Sequence, residues 1–409
     1  MTGGGQLREW LDGLAALGGV VSAAEAIVSD GERIHFRHAS GFRVGGERLV
    51  AGSGARFDAA SLTKPWMATL ALALDAAEQA APGSGLSLRE RLPLPVAATD
   101  ALAPTLEDLL RHRAGLPAWT PLALRLGRRF GDVVALKSFL FGERRSGPSA
   151  APSSAVSPGR SVTPDLHRGG KLDARPTGEG ANPTVPFNGS LSSFEGGKSR
   201  CVYSDLGYVL WGLLAEERLG RSLAGLLDER VCALLGLPGL GALASEPGNA
   251  VECRLDNGKE VELAAAQGLT LARSRSFHRG VPQDGNARAL RAAGIFPAHA
   301  GLFVTADEML ALAREWLRPG RLLAGSRVDL ALAGDDEGYA LGWSRWSEDG
   351  SAGPALSRAS FGHTGFTGGS VWIDPERERI FVLLAHRLAS AIDFQPFRRE
   401  FHRLAATLG

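Results

Sequence analysis

The segment DAASLTKPWMATLALAL, from Asp58 to Leu74, is apolar on nearly every side when wound into a helix. A helix of that kind runs through the middle of a domain, with other elements wrapped around it. The chain has the material to do so: 409 residues, 44% of them hydrophobic. That length suits one large domain with insertions, or two medium ones.

The flanking sequence supplies the wrapping. Leu7, Trp10, Leu11, Leu14 and Leu17 recur at helical spacing, so the chain opens with an amphipathic helix. Strand-like runs follow at Ala26 to Ser29 and Ile34 to Phe42, with Asp30-Gly31 between them as a hairpin signal. A short helix is predicted from about Leu106 to His112, stopped by Ala114-Gly115-Leu116-Pro117, and another from Val202 to about Glu216. The last third reads as strands at Tyr339 to Trp346, Gly369 to Ile373 and Ile380 to Leu384. A closing amphipathic helix carries Phe397, Phe401, Leu404 and Leu408. Strands at both ends and helices between predict an α+β fold, with one antiparallel sheet shared by the termini, flanked by the terminal helices, beside an all-α lobe. From about Ser146 to Arg200 roughly half the residues are Gly, Pro, Ser or Thr and periodicity vanishes. That composition predicts a disordered, low-complexity insertion (146–200) that folding does not need.

Charge and cysteine usage narrow the function classes. Lys+Arg 45 against Asp+Glu 44 creates no overall field for nucleic acid or an anionic membrane. Cys201, Cys232 and Cys253 form no CxxC pair, and the histidines show no HxxxH spacing, so neither a disulfide scaffold nor a metal site is expected. No run approaches a membrane span, and the first residues do not read as a secretory signal, so a cytoplasmic location is expected. The sequence leaves oligomeric state open.

Three short motifs carry chemistry. Ser61 and Lys64 in Ser61-Leu62-Thr63-Lys64 lie one turn apart on one helix face. A serine hydroxyl needs a nearby base to become a nucleophile, and a lysine in an apolar helix can serve. Pro65 fits the first turn. Read alone, the same letters also describe a capped helix with a solvated lysine. Tyr203-Ser204-Asp205 heads a helix, where a phenol can relay protons, or simply cap and pack. His363-Thr364-Gly365, inside FGHTGFTGGS, precedes a strand. Its glycines allow close approach to a ligand, and its N–H groups could complete an oxyanion hole.

The order SxxK, YSD, HTG resembles the serine β-lactamase and penicillin-binding protein superfamily. The likeness is strongest to its class C-like branch of esterases, D-amino-acid peptidases and related hydrolases. FDAASLTKP (Phe57 to Pro65), EDLLRHRAGLP (Glu107 to Pro117), YSDLGYVLWG (Tyr203 to Gly212), DGNARAL with AHAGLFVTADEM (Asp284 to Met309) and FGHTGFTGGSVWIDPE (Phe361 to Glu376) extend the resemblance. It implies a single catalytic domain over 1–409, with an α/β lobe at about 1–60 and 300–409, a helical lobe at about 61–300 and a cleft between them. It also implies that Ser61 is acylated, Lys64 is its base and Tyr203 shuttles the proton. The backbone N–H groups of Ser61 and Phe366, the latter beside Gly365, would bind the oxyanion. Asp205, His363 and Thr364 would line the cleft. The implied substrate is a small ester or amide, and no cofactor is implied. A D-amino-acid or cell-wall peptidase, or a non-catalytic ligand-binding relative, are the alternatives.

Two positions depart from the version typical of true β-lactamases: Asp205 replaces an asparagine, and His363 replaces a lysine. A lysine there is a permanent cation, whereas histidine is only fractionally charged near neutrality. A unit charge 4 Å away is worth on the order of 4 kcal/mol at an effective dielectric of about 20. Exchanging it for an aspartate's repulsion favours a neutral ester or amide over an anionic lactam. Outside the motifs, His112 and His299 are expected to pack or bond within loops, Cys201 to fill core, and Arg125, Arg128 and Arg129 to form a solvated face.

Overall fold

A computed structural model describes residues 2–16, 19–43, 45–92, 103–141, 194–195, 198–199, 201–237, 239–240, 249–334 and 339–408. The insertion read at 146–200 lies outside these residues, apart from Phe194–Glu195 and Lys198–Ser199, which pair as short antiparallel strands.

Helix α1 (Gly3–Ala15) is capped by Thr2 and buries Leu7, Leu11 and Leu14. The hairpin follows as β1 (Val21–Ser29) and β2 (Ile34–Gly41). Its turn is held by Asp30, whose carboxylate accepts the amides of Glu32 and Arg33 at 2.7 and 2.6 Å. β1 starts before the expected Ala26, because half of Val21 to Ala26 is alanine and the segment carries no clear alternation. The two-residue β3 (Phe57–Asp58) leads into α2 (Thr63–Ala80), which is buried around its whole circumference through Trp66, Met67, Leu70 and Leu74. Helices α3 (Leu106–Leu110) and α4 (Asp205–Leu219) cross so closely that a Cβ on Gly207 would stand 2.5 Å from the Leu109 carbonyl oxygen. The helix expected to reach His112 stops at Leu110, since His112 has φ +60°.

The span 61–300, expected to be helical, also holds an antiparallel strand pair, β4 (Glu252–Asp256) and β5 (Arg275–Arg279), around α5 (Gly258–Ala265). The polar letters of these strands gave no apolar alternation to read. Next come α6 (Gly285–Ala292), β6 (Phe303–Val304) and α7 (Ala306–Leu317). The strand expected over Tyr339 to Trp346 reduces to β7 (Ser344–Arg345), with Tyr339 bridging back to Ser344. The chain closes with β8 (Phe361–Thr364), β9 (Gly368–Asp374), β10 (Arg379–Arg387) and α8 (Gln395–Ala405).

One six-stranded antiparallel sheet, ordered β2-β1-β10-β9-β8-β7, joins the two ends of the chain. Alternation sends Phe381, Leu383 and Ala385 to one face, against α1 and α8 through Leu7, Leu11, Phe401 and Leu404. Ile380, Val382 and Leu384 face the other way, into a core shared with α7 and α2. Each fully buried side chain of this size contributes about 1.5–3 kcal/mol relative to exposure. A one-residue slip of β10 would exchange its two apolar faces, so the fit of individual side chains in the two cores, rather than apolar alternation, holds its register. Among the described residues, no helix is long and apolar enough to cross a membrane.

Candidate active site

The turn that presents Ser61 is built by a buried aspartate. Asp58 accepts the amide of Ala60 at 2.9 Å and that of Gln283 at 2.7 Å, while its own amide donates to His386 Nε2 at 2.9 Å. Ala60 is held at φ +45°, a left-handed conformation that costs a non-glycine residue on the order of 1–3 kcal/mol. Its strain bends the chain so that Ser61 sits in a short 3₁₀ turn directly before α2.

One turn on, Lys64 is completely buried. Its Nζ donates to Ser61 Oγ at 3.0 Å, to Asp205 Oδ1 at 2.6 Å and to the His299 carbonyl at 3.0 Å. The ammonium also stands 4.9 Å from the centre of the Tyr203 ring. Burial pushes the Tyr203 phenol well above its ordinary value. Asp205 adds to that rise, and hydrogen bonding with Ser61 opposes it. The phenol is therefore a neutral O–H group next to the serine.

Tyr203 and Asp205 are placed by the segment after α3. Asp205 N–H donates to the Ala118 carbonyl at 3.0 Å, Ser204 Oγ to the Pro117 carbonyl at 2.7 Å, and Ser204 N–H to His112 Nδ1 at 3.0 Å. The His112 ring lies 4.5 Å from that of Tyr203. Burial, then Lys64 and His363, push His112 well below its ordinary value, so it packs as a neutral ring beneath the tyrosine.

The HTG strand closes the site from the sheet side. Gly365 comes so near the nucleophile turn that a Cβ there would stand 2.8 Å from the Ala59 carbonyl oxygen. Thr367 Oγ1 donates to the Asp58 carbonyl at 2.9 Å, tying the two loops together. Phe366 N–H, in the turn between β8 and β9, makes no hydrogen bond among the described residues. His363 is buried; its Nδ1 donates to the Thr364 carbonyl at 2.8 Å, and its ring centre lies 6.0 Å from that of Tyr203. Burial, reinforced by Lys64, pushes its pKa down to about 3, so it carries no charge near neutrality.

Ser61, Tyr203, His363, Thr364, Gly365 and Phe366 all line one cleft of about 780 Å³. Lys64 and Asp205 lie behind them. Sequence reasoning missed two cations on the same wall, Arg387 at the end of β10 and Arg398 on α8. Arg387 stacks on the Phe366 ring at 3.9 Å and donates to the Ile392 carbonyl at 2.8 Å. Arg398 donates to the Gly365 carbonyl at 2.6 Å. Burial lowers their pKa values to about 10 and about 9, and Arg387 contributes to the drop at Arg398. Both remain cations near neutrality, and neither forms an ion pair within 4 Å among the described residues. No motif flags them, because their letters sit in a strand end and a surface helix. His299, expected to pack or bond within its loop, is fully buried, and its carbonyl also holds Lys64.

An antiparallel sheet with flanking helices, and a serine, lysine and tyrosine meeting at its edge, define the β-lactamase-like class of serine hydrolases. The Beta-lactamase family model matches residues 7–135 and 195–404, and the chain belongs to that family. Solved structures of the same fold include EstCE1, a hydrolase with promiscuous acyltransferase activity (TM-score 0.61, 17% identity, covering 100% of this chain and 99% of that one). A penicillin-binding protein homologue from Caulobacter crescentus has a TM-score of 0.56 at 17% identity, covering 99% and 97% of the two chains. A D-stereospecific amidohydrolase from Streptomyces sp. has a TM-score of 0.52 at 17% identity, covering 94% and 95%. In sequence, the chain is 29% identical over 208 residues to N-acetylmuramyl-L-alanine amidase of Bacillus subtilis (strain 168). That match spans 46% of this chain and 44% of the relative.

Proposed function

We propose that this protein hydrolyses a small ester or amide through an acyl-enzyme on Ser61, with Lys64 as base and Tyr203 as proton shuttle. The observation that carries the reading is the contact of Ser61 Oγ with the buried Lys64 Nζ at 3.0 Å, inside a cleft that also holds the Tyr203 phenol. Attack by Ser61 places negative charge on the substrate carbonyl oxygen, and the N–H groups of Ser61 and Phe366 are assigned to receive it.

Esterase or amidase work fits better than lactam hydrolysis. His363 is uncharged, and Asp205 places a carboxylate against Lys64, so the two positions that differ from true β-lactamases supply no cation to an anionic lactam. The expectation of a wholly neutral substrate is revised by Arg387 and Arg398. They favour a substrate with an acidic group further along the cleft, beside Phe366.

Hydrolysis of a short-chain p-nitrophenyl ester by the wild type and by Ser61→Ala tests the reading. Turnover that disappears in the variant supports it. Equal, negligible rates, with no labelling of Ser61 by a fluorophosphonate, would favour a ligand-binding relative. Turnover of a chromogenic cephalosporin at ordinary enzyme rates would sink the preference for esters and amides.

A further inference from the structure

We infer that Asp284 and His299 are positioning residues for proton transfer at Ser61, acting on Lys64 through the His299 main-chain carbonyl. The inference rests on the reading of Ser61 as nucleophile.

The argument starts from the geometry of an amine. Lys64 Nζ has three directions besides its bond to carbon, and in this structure they meet Ser61 Oγ, Asp205 Oδ1 and the His299 carbonyl. To take the serine proton, one direction has to carry a lone pair, while the other two carry N–H bonds. In a dry pocket those N–H bonds need acceptors. Asp205 and the His299 carbonyl are those two acceptors. With both occupied, the lone pair has one direction left, towards Ser61. The step then balances: the Ser61 O–H bond breaks as Oγ bonds the substrate carbonyl carbon. The proton goes to the lone pair of Nζ, and the carbonyl π electrons go to the oxygen. The same proton later returns to the leaving group.

A loop carbonyl is a fixed acceptor only if its loop is fixed. His299 is fully buried, and its Nε2 donates to Asp284 Oδ1 at 2.8 Å. Asp284 is itself anchored as the N-cap of α6, accepting the Ala287 amide at 2.7 Å. Burial pushes the Asp284 carboxyl up, but His299 and the Ala287 amide outweigh this and bring it down to about 2, so it stays a carboxylate. On the other side of His299, Leu302 N–H donates to Thr63 Oγ1 at 3.2 Å, and the Leu302 carbonyl accepts from Ala59 at 2.9 Å. The carbonyl that holds Lys64 is thus clamped between a helix cap and the nucleophile turn. The His299 ring has no second use: its Nδ1 is buried without a partner among the described residues.

The experiment compares wild type, His299→Ala, His299→Gln and Asp284→Ala. It reads kcat and KM for a p-nitrophenyl ester, the rate of Ser61 labelling by a fluorophosphonate, and the urea midpoint. His299→Ala and Asp284→Ala are expected to lower kcat and labelling rate on the order of 10²-fold per folded site, with KM within about twofold. His299→Gln, whose amide can still reach Asp284, is expected to recover most of the loss. Equal rates in the Ala and Gln variants, or losses that vanish when rates are normalised to folded protein, would overturn the inference. If the wild type shows no Ser61-dependent reaction, the proposed function falls, and crystal structures decide the dyad. Lys64 Nζ still at hydrogen-bond distance from Ser61 in His299→Ala overturns it; displaced Nζ upholds it.

Discussion

Lys64 Nζ stands 2.6 Å from Asp205 Oδ1, closer than its 3.0 Å approach to Ser61 Oγ, so the base assigned to the serine is already engaged by a carboxylate. Where relatives typical of true β-lactamases carry a neutral amide, this chain carries a counter-ion. The pair is buried on the lysine side and nearly so on the other, which makes its members interdependent. Removing one partner strands the other charge away from water.

Asp205→Asn is expected to keep the fold, since its amide oxygen can still accept from Lys64, and to lower kcat several-fold, because the group that orients the base is altered. Asp205→Ala is expected to destabilise by about 3 kcal/mol, since the buried Lys64 loses its carboxylate partner and keeps only the neutral Ser61 Oγ and His299 carbonyl as acceptors. Kinetics on a p-nitrophenyl ester and urea melts of the two variants check both statements. An unchanged kcat in Asp205→Asn would count against Asp205 as the group that orients Lys64.

Tyr203→Phe removes the phenol O–H and keeps the ring that packs, tilted, against His112. A loss of about 10²–10⁴-fold in kcat, with KM nearly unchanged, is expected for a proton shuttle. A loss confined to KM would assign Tyr203 to binding instead.

Arg398→Gln should erode any preference for acidic substrates. The measurement compares p-nitrophenyl butyrate with the p-nitrophenyl monoester of succinic acid. The wild type is expected to favour the anionic ester in kcat/KM, and the variant to lose about tenfold of that preference while butyrate turnover is kept. An unchanged ratio would show that Arg398 does not act on the charge of the substrate.

Gly365→Ala places a methyl group against the Ala59 carbonyl at 2.8 Å and forces the HTG strand away from the nucleophile turn. On the order of a 10²-fold fall in kcat is expected, with a modest loss of stability. A variant with wild-type kcat would mean that this approach is not needed for catalysis.

Acid should work against the buried histidines before it protonates most carboxylates. Burial holds His363, His386 and His402 down at about 3, about 4 and about 4. An unfolded histidine titrates near ~6.5. The stabilisation from keeping these rings neutral is therefore fully present above about 6.5 and is lost as pH falls through the window below it. Asp58, raised by burial to about 6, works in the opposite sense between its unfolded value and 6. His112, also pushed down by burial, acts with these histidines, while Glu25, Glu216 and Glu260, raised by burial, act with Asp58. His386→Gln removes one histidine from the first set, so its urea midpoint should fall less than that of the wild type, or rise more, from pH 6.5 to 4.5, and an identical pH dependence of the two midpoints would contradict the assignment.

Much of the site was legible because its parts are local. Ser61 and Lys64 are one turn apart, Tyr203 and Asp205 share a helix start, and His363 to Phe366 form a single turn. In each case backbone geometry alone brings neighbours together. The antiparallel sheet was legible for a similar reason: β10 and β1 carry strong apolar runs, and a strand buried on both faces has few other places to go. The polar strands β4 and β5 carried no such pattern and were missed. The shortness of β7 was equally hidden, since strand propensity does not report where pairing ends.

The sequence by itself determined the elements, the order of the three motifs and the family likeness, because those depend on spacing along the chain. Only the tertiary structure decided what surrounds Lys64. Asp205 is 141 residues away from it in sequence and the His299 carbonyl 235, and main-chain carbonyls leave no mark in the letters. It also decided that His363 is neutral and that Arg387 and Arg398 face the cleft. Charge state and substrate contact are set by burial and by neighbours from other elements, and these exist only once the sheet has brought the two ends of the chain together.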